Sequence, residues 1–215
     1  MLTLSQVTKS YALRGSTLRV LDGINLSVGV GEKVAILGRN GAGKSTLIRL
    51  IGGLERPDAG RIYSQMSISW PLGIAGGVQG GLTGLDNINF LSRIYGADPL
   101  PVREFVADFA ELGHFLREPV KTYSSGMRGR LGFALSMAFD FDCLLIDEGL
   151  SAGDARFTQR CRDALEKKKE KAIVMVSHAQ GSVRDFCDRA CVLSEGKLHD
   201  FDSLNSAYQF YETCH

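Results

Sequence analysis

A glycine-rich loop between a short apolar segment and a helix-forming segment constrains this chain more than any other feature. The loop, residues 38–45, reads GRNGAGKS and fits the pattern G-x-x-x-x-G-K-[ST]. The run at 33–37 is apolar and predicts a buried strand, and residues 44–53 have the periodicity of a helix. In this context the backbone N–H groups of the loop can surround phosphates. The sequence therefore predicts a nucleoside triphosphate site in an α/β fold.

The loop and the first helical turn supply the candidate phosphate-binding residues. Lys44 is expected to reach the β- and γ-phosphates, and the hydroxyl of Ser45 is expected to ligate Mg²⁺. The helix N-terminus adds the positive end of its dipole. The complete predicted set is Gly38, Arg39, Asn40, Gly41, Ala42, Gly43, Lys44, Ser45 and Thr46.

Length, charge and cysteine content exclude several classes of protein. A chain of 215 residues with a net charge of +1 fits one domain and gives no argument for a nucleic-acid partner. Its apolar runs are shorter than the roughly 18–20 residues that span a bilayer, and its first residues do not resemble a secretion signal. Five scattered cysteines predict reduced, buried thiols. We expect a cytosolic protein that reaches a membrane only through a partner.

The order of apolar patterns predicts a nucleotide core interrupted by a helical lobe. Residues 2–9 and 18–28 alternate apolar and polar side chains, as half-buried antiparallel strands do. Residues 73–84 contain six glycines and predict a loop or hinge, and residues 86–140 are mostly helical in pattern. Further strands are expected near 61–63, 66–69, 141–146, 172–176, 190–194 and 198–201, and further helices near 155–168, 182–188 and 203–212.

Two acidic residues end the apolar run that precedes them. Asp147 and Glu148 follow Leu144, Leu145 and Ile146 directly. At the end of a strand, Asp147 can hold Mg²⁺ through its water shell, and Glu148 can orient and deprotonate an attacking water. This division of roles suits phosphoryl transfer, in which positioning and charge neutralisation supply most of the catalysis.

A second candidate anion site lies upstream of these acids. Residues 123–128 read YSSGMR and precede a helical run, so Ser124, Ser125 and Gly126 would stand at a helix N-terminus. Taken alone, this pattern is typical of an ordinary helix cap. Its position 23 residues before Asp147, in a chain that also has the phosphate loop, favours a role in nucleotide binding.

With these segments in this order, the chain resembles the ATP-binding cassette (ABC) family, the ATPase subunits of ABC transporters, over essentially all of its length. The family's signature reads L-S-G-G-Q and caps the γ-phosphate of ATP bound to the other subunit of a dimer. Ser124 and Gly126 match this signature, whereas Tyr123, Ser125 and Met127 depart from it.

The resemblance implies the P-loop NTPase fold of an ABC cassette, in the α/β class, with an antiparallel β subdomain and an inserted helical lobe. It implies a single domain over residues 1–215. The nucleotide core would cover about 1–72 and 141–215, and the hinge and helical lobe would cover about 73–140.

The resemblance also assigns roles to four single residues. Tyr11 would stack on adenine, Asp154 would contact the other subunit, and His178 would contact the γ-phosphate beside the catalytic Glu148. Gln79 is the candidate for the glutamine that senses Mg²⁺. Because Gln79 lies only four residues before Thr83, the alternative is that this glycine-rich hinge only couples motion.

Three stretches narrow the resemblance to one kind of cassette. Residues 66–73, 80–87 and 119–128 are similar to the ATP-binding subunits of bacterial capsular polysaccharide exporters, including those for polysialic-acid-type capsules. This similarity implies a homodimer that binds ATP and Mg²⁺ and a separate polytopic permease that handles the polysaccharide. The chain would then be a peripheral protein on the cytoplasmic face of the inner membrane, with no nucleic-acid partner.

Three alternatives stay open at this point. One is the ATPase of an O-antigen or teichoic-acid exporter. Another is a soluble ABC ATPase of the repair or translation type, against which the single P-loop and the lack of heptads argue. The third is a P-loop kinase or GTPase, against which Ser124, Asp147, Glu148 and His178 argue together.

Overall fold

The computed structural model describes residues 1–72, 77–147, 154–177 and 180–214. The described strands are β1 (Leu2–Leu13), β2 (Ser16–Val28), β3 (Lys33–Leu37), β4 (Ala59–Ser64), β5 (Cys143–Asp147), β6 (Ala172–Val176), β7 (Arg189–Ser194) and β8 (Lys197–Phe201). The described α-helices are α1 (Lys44–Ile51), α2 (Gly84–Ile94), α3 (Pro99–Ala110), α4 (Ser125–Ala138), α5 (Ala155–Glu166), α6 (Gln180–Phe186) and α7 (Leu204–Thr213). None of these helices is long and apolar enough to cross a bilayer.

Contacts divide the described chain into two compact units, which are described separately. The first unit contains the described parts of 1–69, 141–147 and 170–215. The second contains the described parts of 70–140 and 148–169. The predicted fold class, an α/β fold with an antiparallel β part and a helical insertion, is confirmed.

The antiparallel sheet of the first unit has the strand order β2-β1-β4. The two alternating segments predicted at 2–9 and 18–28 pair with each other, as expected, but both strands are longer and form one hairpin. The turn between them contains Gly15 at φ 81°, a left-handed conformation that glycine adopts without strain. Buried apolar side chains alternate at Leu2 and Leu4 of β1 and at Ile24, Leu26 and Val28 of β2, and register shifts interrupt this alternation farther along the pair.

The second sheet has the order β5-β6-β3-β7-β8, parallel except for the final β7–β8 hairpin. The residues of β6 are all buried, as is usual for a parallel strand covered on both faces. The predicted strands at 33–37 and 172–176 are confirmed.

The prediction of a strand at 66–69 is wrong. Within this segment only Ile68 forms a β-bridge, to Cys143, the first residue of β5. Ser69 explains the short pairing. Its hydroxyl accepts a hydrogen bond from the backbone N–H of Leu145 at 2.9 Å, so a side chain replaces a backbone partner.

The second unit consists of helices α2 to α5 and two 3₁₀ turns, Gly113–Arg117 and Val120–Thr122. It includes α5, which the sequence had grouped with the nucleotide core. Phe157 of α5 packs edge-on against Phe109 and Phe133, with ring centroids 5.7 Å and 6.4 Å away. Aromatic packing with α3 and α4 therefore ties α5 to the helical unit.

The five cysteines are free, and four of them are buried: Cys143, Cys161, Cys187 and Cys191. Burial raises the pKa of each of these four thiols to about 12. They therefore stay protonated at neutral pH and pack as small apolar side chains. The predicted burial is confirmed for these four thiols, whereas Cys214 is only half-buried.

Candidate functional site

The phosphate loop joins β3 to α1 in the first unit, as the sequence predicts. Gly38 and Gly43 both have positive φ, 156° and 103°. A Cβ on Gly38 would lie 2.6 Å from the carbonyl oxygen of Leu193, and one on Gly43 would lie 2.6 Å from Cγ1 of Val20. Both positions therefore require glycine, and the backbone of the loop passes closely against β7 and β2.

Lys44, the first residue of α1, folds its side chain back over the loop. Only 7% of the residue is exposed, and Nζ donates hydrogen bonds to the carbonyl oxygens of Gly38 at 2.7 Å and Arg39 at 2.9 Å. The next residue, Ser45, is exposed at the N-terminus of the helix. The ammonium group and the hydroxyl thus lie where the loop and the helix dipole attract phosphate.

Asp147 ends β5 at the same edge of the parallel sheet as the phosphate loop. Both Asp147 and Ile36 are paired with Val176 of β6, the strand that separates β5 from β3. Two strand spacings, about 10 Å, therefore separate Asp147 from the end of β3. The sheet brings a half-buried carboxylate to the level at which the loop begins.

The two predicted catalytic residues lie outside the described residues. Glu148 follows Asp147 at the end of β5, and His178 follows Ser177 after β6. Chain connectivity puts both directly after neighbouring parallel strands. Their catalytic roles stay predictions.

The oxygen donors of this sheet edge fit Mg²⁺. Mg²⁺ prefers oxygen ligands, binds through one or two protein groups and keeps water or phosphate in its other positions. Ser45 and Asp147 supply a hydroxyl and a carboxylate of this kind. Within the described ranges, no group of three or more His, Cys, Asp or Glu could form a closed metal cage.

Gln79 belongs to the helical unit, where buried Asn87 holds its backbone. The N–H of Gln79 donates to Oδ1 of Asn87 at 2.7 Å, and Nδ2 of Asn87 donates to the carbonyl of Gln79 at 3.0 Å. The residue itself is exposed. Both interpretations of Gln79, Mg²⁺ ligand and hinge residue, stay predictions.

Tyr11, the predicted adenine-stacking residue, lies near the end of β1 and is half-buried. Its hydroxyl donates to Oε2 of Glu55 at 2.6 Å, and Oε1 of Glu55 accepts from Nε of Arg49 at 2.6 Å. The hydrogen bonds from Tyr11 and Arg49 lower the pKa of Glu55. An ionised Glu55 thus fixes the Tyr11 ring relative to α1, a contact that the sequence did not predict.

The segment around Ser124 forms the start of α4, as predicted. Ser124 is the N-cap and is exposed, and its Oγ accepts a hydrogen bond from the N–H of Met127 at 3.2 Å. Together with Gly126 and Met127 it borders an open cavity of about 450 Å³ in the helical unit. This cavity leaves the helix N-terminus accessible to an anion.

Tyr123, which departs from the family signature, has a structural explanation. Only 3% of the residue is exposed, and its hydroxyl donates to the carbonyl oxygen of Phe115 at 2.5 Å. Burial raises the pKa of this phenol, which therefore stays neutral. The ring is buried, and its hydroxyl holds the 3₁₀ turn Gly113–Arg117 next to Gly84, the first residue of α2.

Asp154 is the N-cap of α5 and is engaged on both carboxylate oxygens. Oδ1 accepts from the N–H of Phe157 at 2.9 Å, and Oδ2 accepts from Nη2 of Arg130 at 3.1 Å. The hydrogen bond from Phe157 and the charge of Arg130 lower the pKa of Asp154, so it is ionised at neutral pH. Sequence reasoning missed Arg130, since nothing in the pattern links α4 to residues 24 positions away.

A comparison with known protein families identifies the family of this chain. The family model described as "ABC transporter" matches residues 21–151, a span that includes the phosphate loop, the start of α4 and Asp147. The chain belongs to the ABC transporter family. It is an ATP-binding, ATP-hydrolysing subunit of the cassette type.

Curated relatives match this ABC subunit over nearly its whole length. It is 49% identical to the "ATP-binding protein BexA" of Haemophilus influenzae, over 98% of both chains. It is 49% identical to the "Capsule polysaccharide export ATP-binding protein CtrD" of Neisseria meningitidis, over 99% of both chains. It is 46% identical to the "Polysialic acid transport ATP-binding protein KpsT" of Escherichia coli, over 99% of this chain and 98% of that one.

Solved structures support the same fold. A dimeric post-hydrolysis state of the ATP-binding cassette MJ0796, bound to ADP and Pi, matches with a TM-score of 0.79 and 25% identity. The match covers 92% of this ABC subunit and 96% of the MJ0796 chain. A second dimeric structure of MJ0796, described as a bacterial ABC transporter cassette, matches with a TM-score of 0.76.

Proposed function

We propose that this chain is the ATP-hydrolysing subunit of an ABC transporter that exports capsular polysaccharide across the bacterial inner membrane. The observation that carries the proposal is the 49% identity to a capsule export ATP-binding protein over 99% of both chains. The sheet edge formed by the phosphate loop and Asp147 is the part of the chain that would bind the nucleotide. The polysaccharide itself would be handled by a permease.

In this proposal the residues of the first unit bind ATP and prepare the hydrolytic step. Lys44 neutralises charge on the β- and γ-phosphates, and backbone N–H groups of the loop hold the phosphate oxygens. Ser45 and Asp147 would hold Mg²⁺, which supplies charge neutralisation of the phosphates when bound. Glu148 takes a proton from the attacking water, and His178 contacts the γ-phosphate.

The second half of each site would come from another copy of the chain. A related cassette is dimeric in two solved structures, one of them with ADP and Pi bound. Ser124 is an exposed N-cap beside an open cavity, so the start of α4 is free to meet a γ-phosphate. We infer a homodimer in which Ser124, Ser125 and Gly126 of one subunit cover the ATP held by the other.

The energy of ATP binding and hydrolysis would be passed to a separate polytopic permease. The transport path would belong to that permease. The subunit would then lie peripherally at the cytoplasmic face of the inner membrane. The glycine-rich hinge and α2 are the parts of the helical unit that would contact the permease.

Affinity purification from native membranes tests this assignment. A tagged form of this chain should co-purify with a polytopic membrane subunit. Deletion of the gene for this chain should abolish surface capsule and leave O-antigen unchanged. The chain carrying Lys44→Met should be expressed and recovered with the permease but should not restore capsule. Recovery with ribosomes or DNA alone, or loss of O-antigen rather than capsule, would contradict the proposal.

Tyr11 offers a test of the adenine position that is separate from the phosphate site. Stacking of a base on an aromatic ring contributes about 1–3 kcal/mol, so Tyr11→Ala should weaken ATP binding by roughly 10–100-fold. Tyr11→Phe keeps the ring and should bind ATP nearly as well as the natural chain. The measurement is a titration with a fluorescent ATP analogue.

Inorganic triphosphate is the control ligand, because it lacks a base to stack. Its affinity should be the same for the natural chain, Tyr11→Phe and Tyr11→Ala. Equal ATP affinity in all three proteins would remove Tyr11 from the adenine site.

A further inference from the structure

A cluster of charged side chains joins α3, α4 and α5 beside the predicted nucleotide-contacting residues Ser124 and Asp154. Its centre is Glu111, the left-handed residue that ends α3 at φ 52°. Oε1 of Glu111 accepts hydrogen bonds from Arg160 at 2.9 Å and Arg156 at 3.4 Å. Oε2 lies 3.8 Å from Nη1 of Arg130. One carboxylate thus faces arginines from two different helices.

Arg130 is the member of the cluster whose side chain contacts Asp154. Its guanidinium donates to Oδ2 of Asp154 at 3.1 Å and lies 4.7 Å from the ring centroid of Phe157. Only 20% of its side chain is exposed, although 65% of that of Asp154 is exposed. The planar guanidinium therefore contacts the first turn of α5, through both a carboxylate and a ring, while it also faces Glu111.

These contacts fix the start of α5 relative to α4. Arg130 lies six residues after Ser124, about 9 Å along the helix from the N-cap. Asp154 is the N-cap of α5, so the same guanidinium that is anchored on α4 also orients the first residue of the neighbouring helix. Movement of one helix start relative to the other would break the 3.1 Å contact.

Stability alone does not explain this arrangement. An ion pair with one largely exposed partner contributes little to folding, because water screens it. The ion pair has a larger effect on the orientation of Asp154 than on stability, because each of its carboxylate oxygens accepts a hydrogen bond from a donor at a fixed position. A residue that serves only packing would not need to engage the exposed N-cap carboxylate.

Given the proposed dimeric ATPase, on which this inference rests, we propose that Arg130 is a positioning residue. It holds Ser124 and Asp154 on one rigid frame, so that both reach the other subunit's nucleotide site in a single geometry. Glu111 supports Arg130 through the other terminal nitrogen, Nη1, of its guanidinium. Arg130 itself does not touch ATP and acts through the placement of the two helix starts.

The test compares ATP binding with turnover in the full-length subunit assembled with its permease. Arg130→Ala should lower kcat by roughly 10²-fold, the usual effect of a displacement of about 1 Å at a reacting site. The affinity of the isolated subunit for ATP should not change, because the phosphate loop lies in the other unit. Arg130→Lys keeps the charge but not the planar fork and should recover only part of the lost kcat.

A double substitution separates positioning from packing. If Arg130 acts through Asp154, then Arg130→Ala/Asp154→Ala should have the kcat of the more impaired single variant rather than the product of both losses. The control is Arg103→Ala, which removes an exposed arginine of the same unit that donates to Asn89 and should leave kcat unchanged. Thermal unfolding midpoints show that each variant folds.

The possible outcomes are distinct. Multiplying losses in the double variant, a natural kcat in Arg130→Ala, or a parallel loss of ATP affinity would each overturn the positioning role. Absence of ATP hydrolysis by the natural chain with its permease would instead overturn the proposed function, and this inference with it. The inference is supported if kcat falls to the same level in the more impaired single variant and in the double variant while the affinity for ATP stays unchanged.

Discussion

Replacing Lys44 by methionine is expected to lower kcat/KM for ATP by about 10²–10³-fold, the usual effect of removing one charge-stabilising group from a reacting centre. The ammonium of Lys44 is held over the phosphate loop by the carbonyl oxygens of Gly38 and Arg39. Methionine keeps the apolar stem of this buried side chain but removes the charge. Loss of the charge-assisted hydrogen bonds, about 1.5–3 kcal/mol, should also weaken ATP binding by roughly 10–100-fold.

Two measurements decide whether the charge is responsible. The thermal unfolding midpoint of Lys44→Met should fall only modestly, because methionine keeps the apolar stem but loses the hydrogen bonds from Nζ to the carbonyls of Gly38 and Arg39, and a single cooperative transition shows that the variant folds. Lys169→Ala, which removes an exposed lysine from the other unit, should have natural kcat/KM and ATP affinity. Natural activity in Lys44→Met would mean that the loop does not bind the reacting phosphates.

The sequence predicted the phosphate loop and its flanking elements because their pattern is local. A strand that is buried on both faces is a continuous apolar run, and β3 spans the predicted residues 33–37. The glycines at 38 and 43 were expected from the motif. The structure adds the reason, since the carbonyl of Leu193 and the side chain of Val20 leave no room for a Cβ.

The errors and omissions concern interactions between distant parts of the sequence. The short pairing at Ile68 depends on the hydroxyl of Ser69 reaching the backbone of β5, and no periodicity encodes such a bond. The contact of Tyr11 with Glu55 joins residues 44 positions apart, and that of Arg130 with Asp154 joins residues 24 apart. Local patterns place residues on elements, but they do not show which side chains meet across elements.

The grouping of α5 is a related case. The alternation of strands and helices after residue 141 indicated a continuous nucleotide core. The structure groups α5 with α3 and α4, because Phe157 packs on Phe109 and Phe133 and Arg160 donates to Asp108 and Glu111. The boundary between the two units therefore depends on which aromatic side chains of different helices contact each other, and those contacts are visible only in the packed structure.

Replacing Glu148 by glutamine is expected to leave ATP binding intact and to lower kcat by about 10²–10⁴-fold, the usual contribution of a general base. Glutamine has nearly the same shape as glutamate but cannot take a proton from water. Glu148 follows Asp147, which β5 carries to the phosphate-loop edge of the sheet. The substitution therefore removes the base while it leaves Lys44, Ser45 and Asp147 to hold the nucleotide.

The separation of binding from turnover is the informative result. ATP affinity is measured by titration with a fluorescent analogue, and kcat by phosphate release from the chain assembled with its permease. Because hydrolysis is what reopens the proposed dimer, Glu148→Gln should also accumulate as an ATP-bound dimer in size-exclusion chromatography, whereas Lys44→Met should not dimerise with ATP. Glu104→Gln, at an exposed position of α3, is the matched control and should hydrolyse ATP normally. A Glu148→Gln protein with natural kcat would exclude Glu148 as the base and would assign the activation of water to another group.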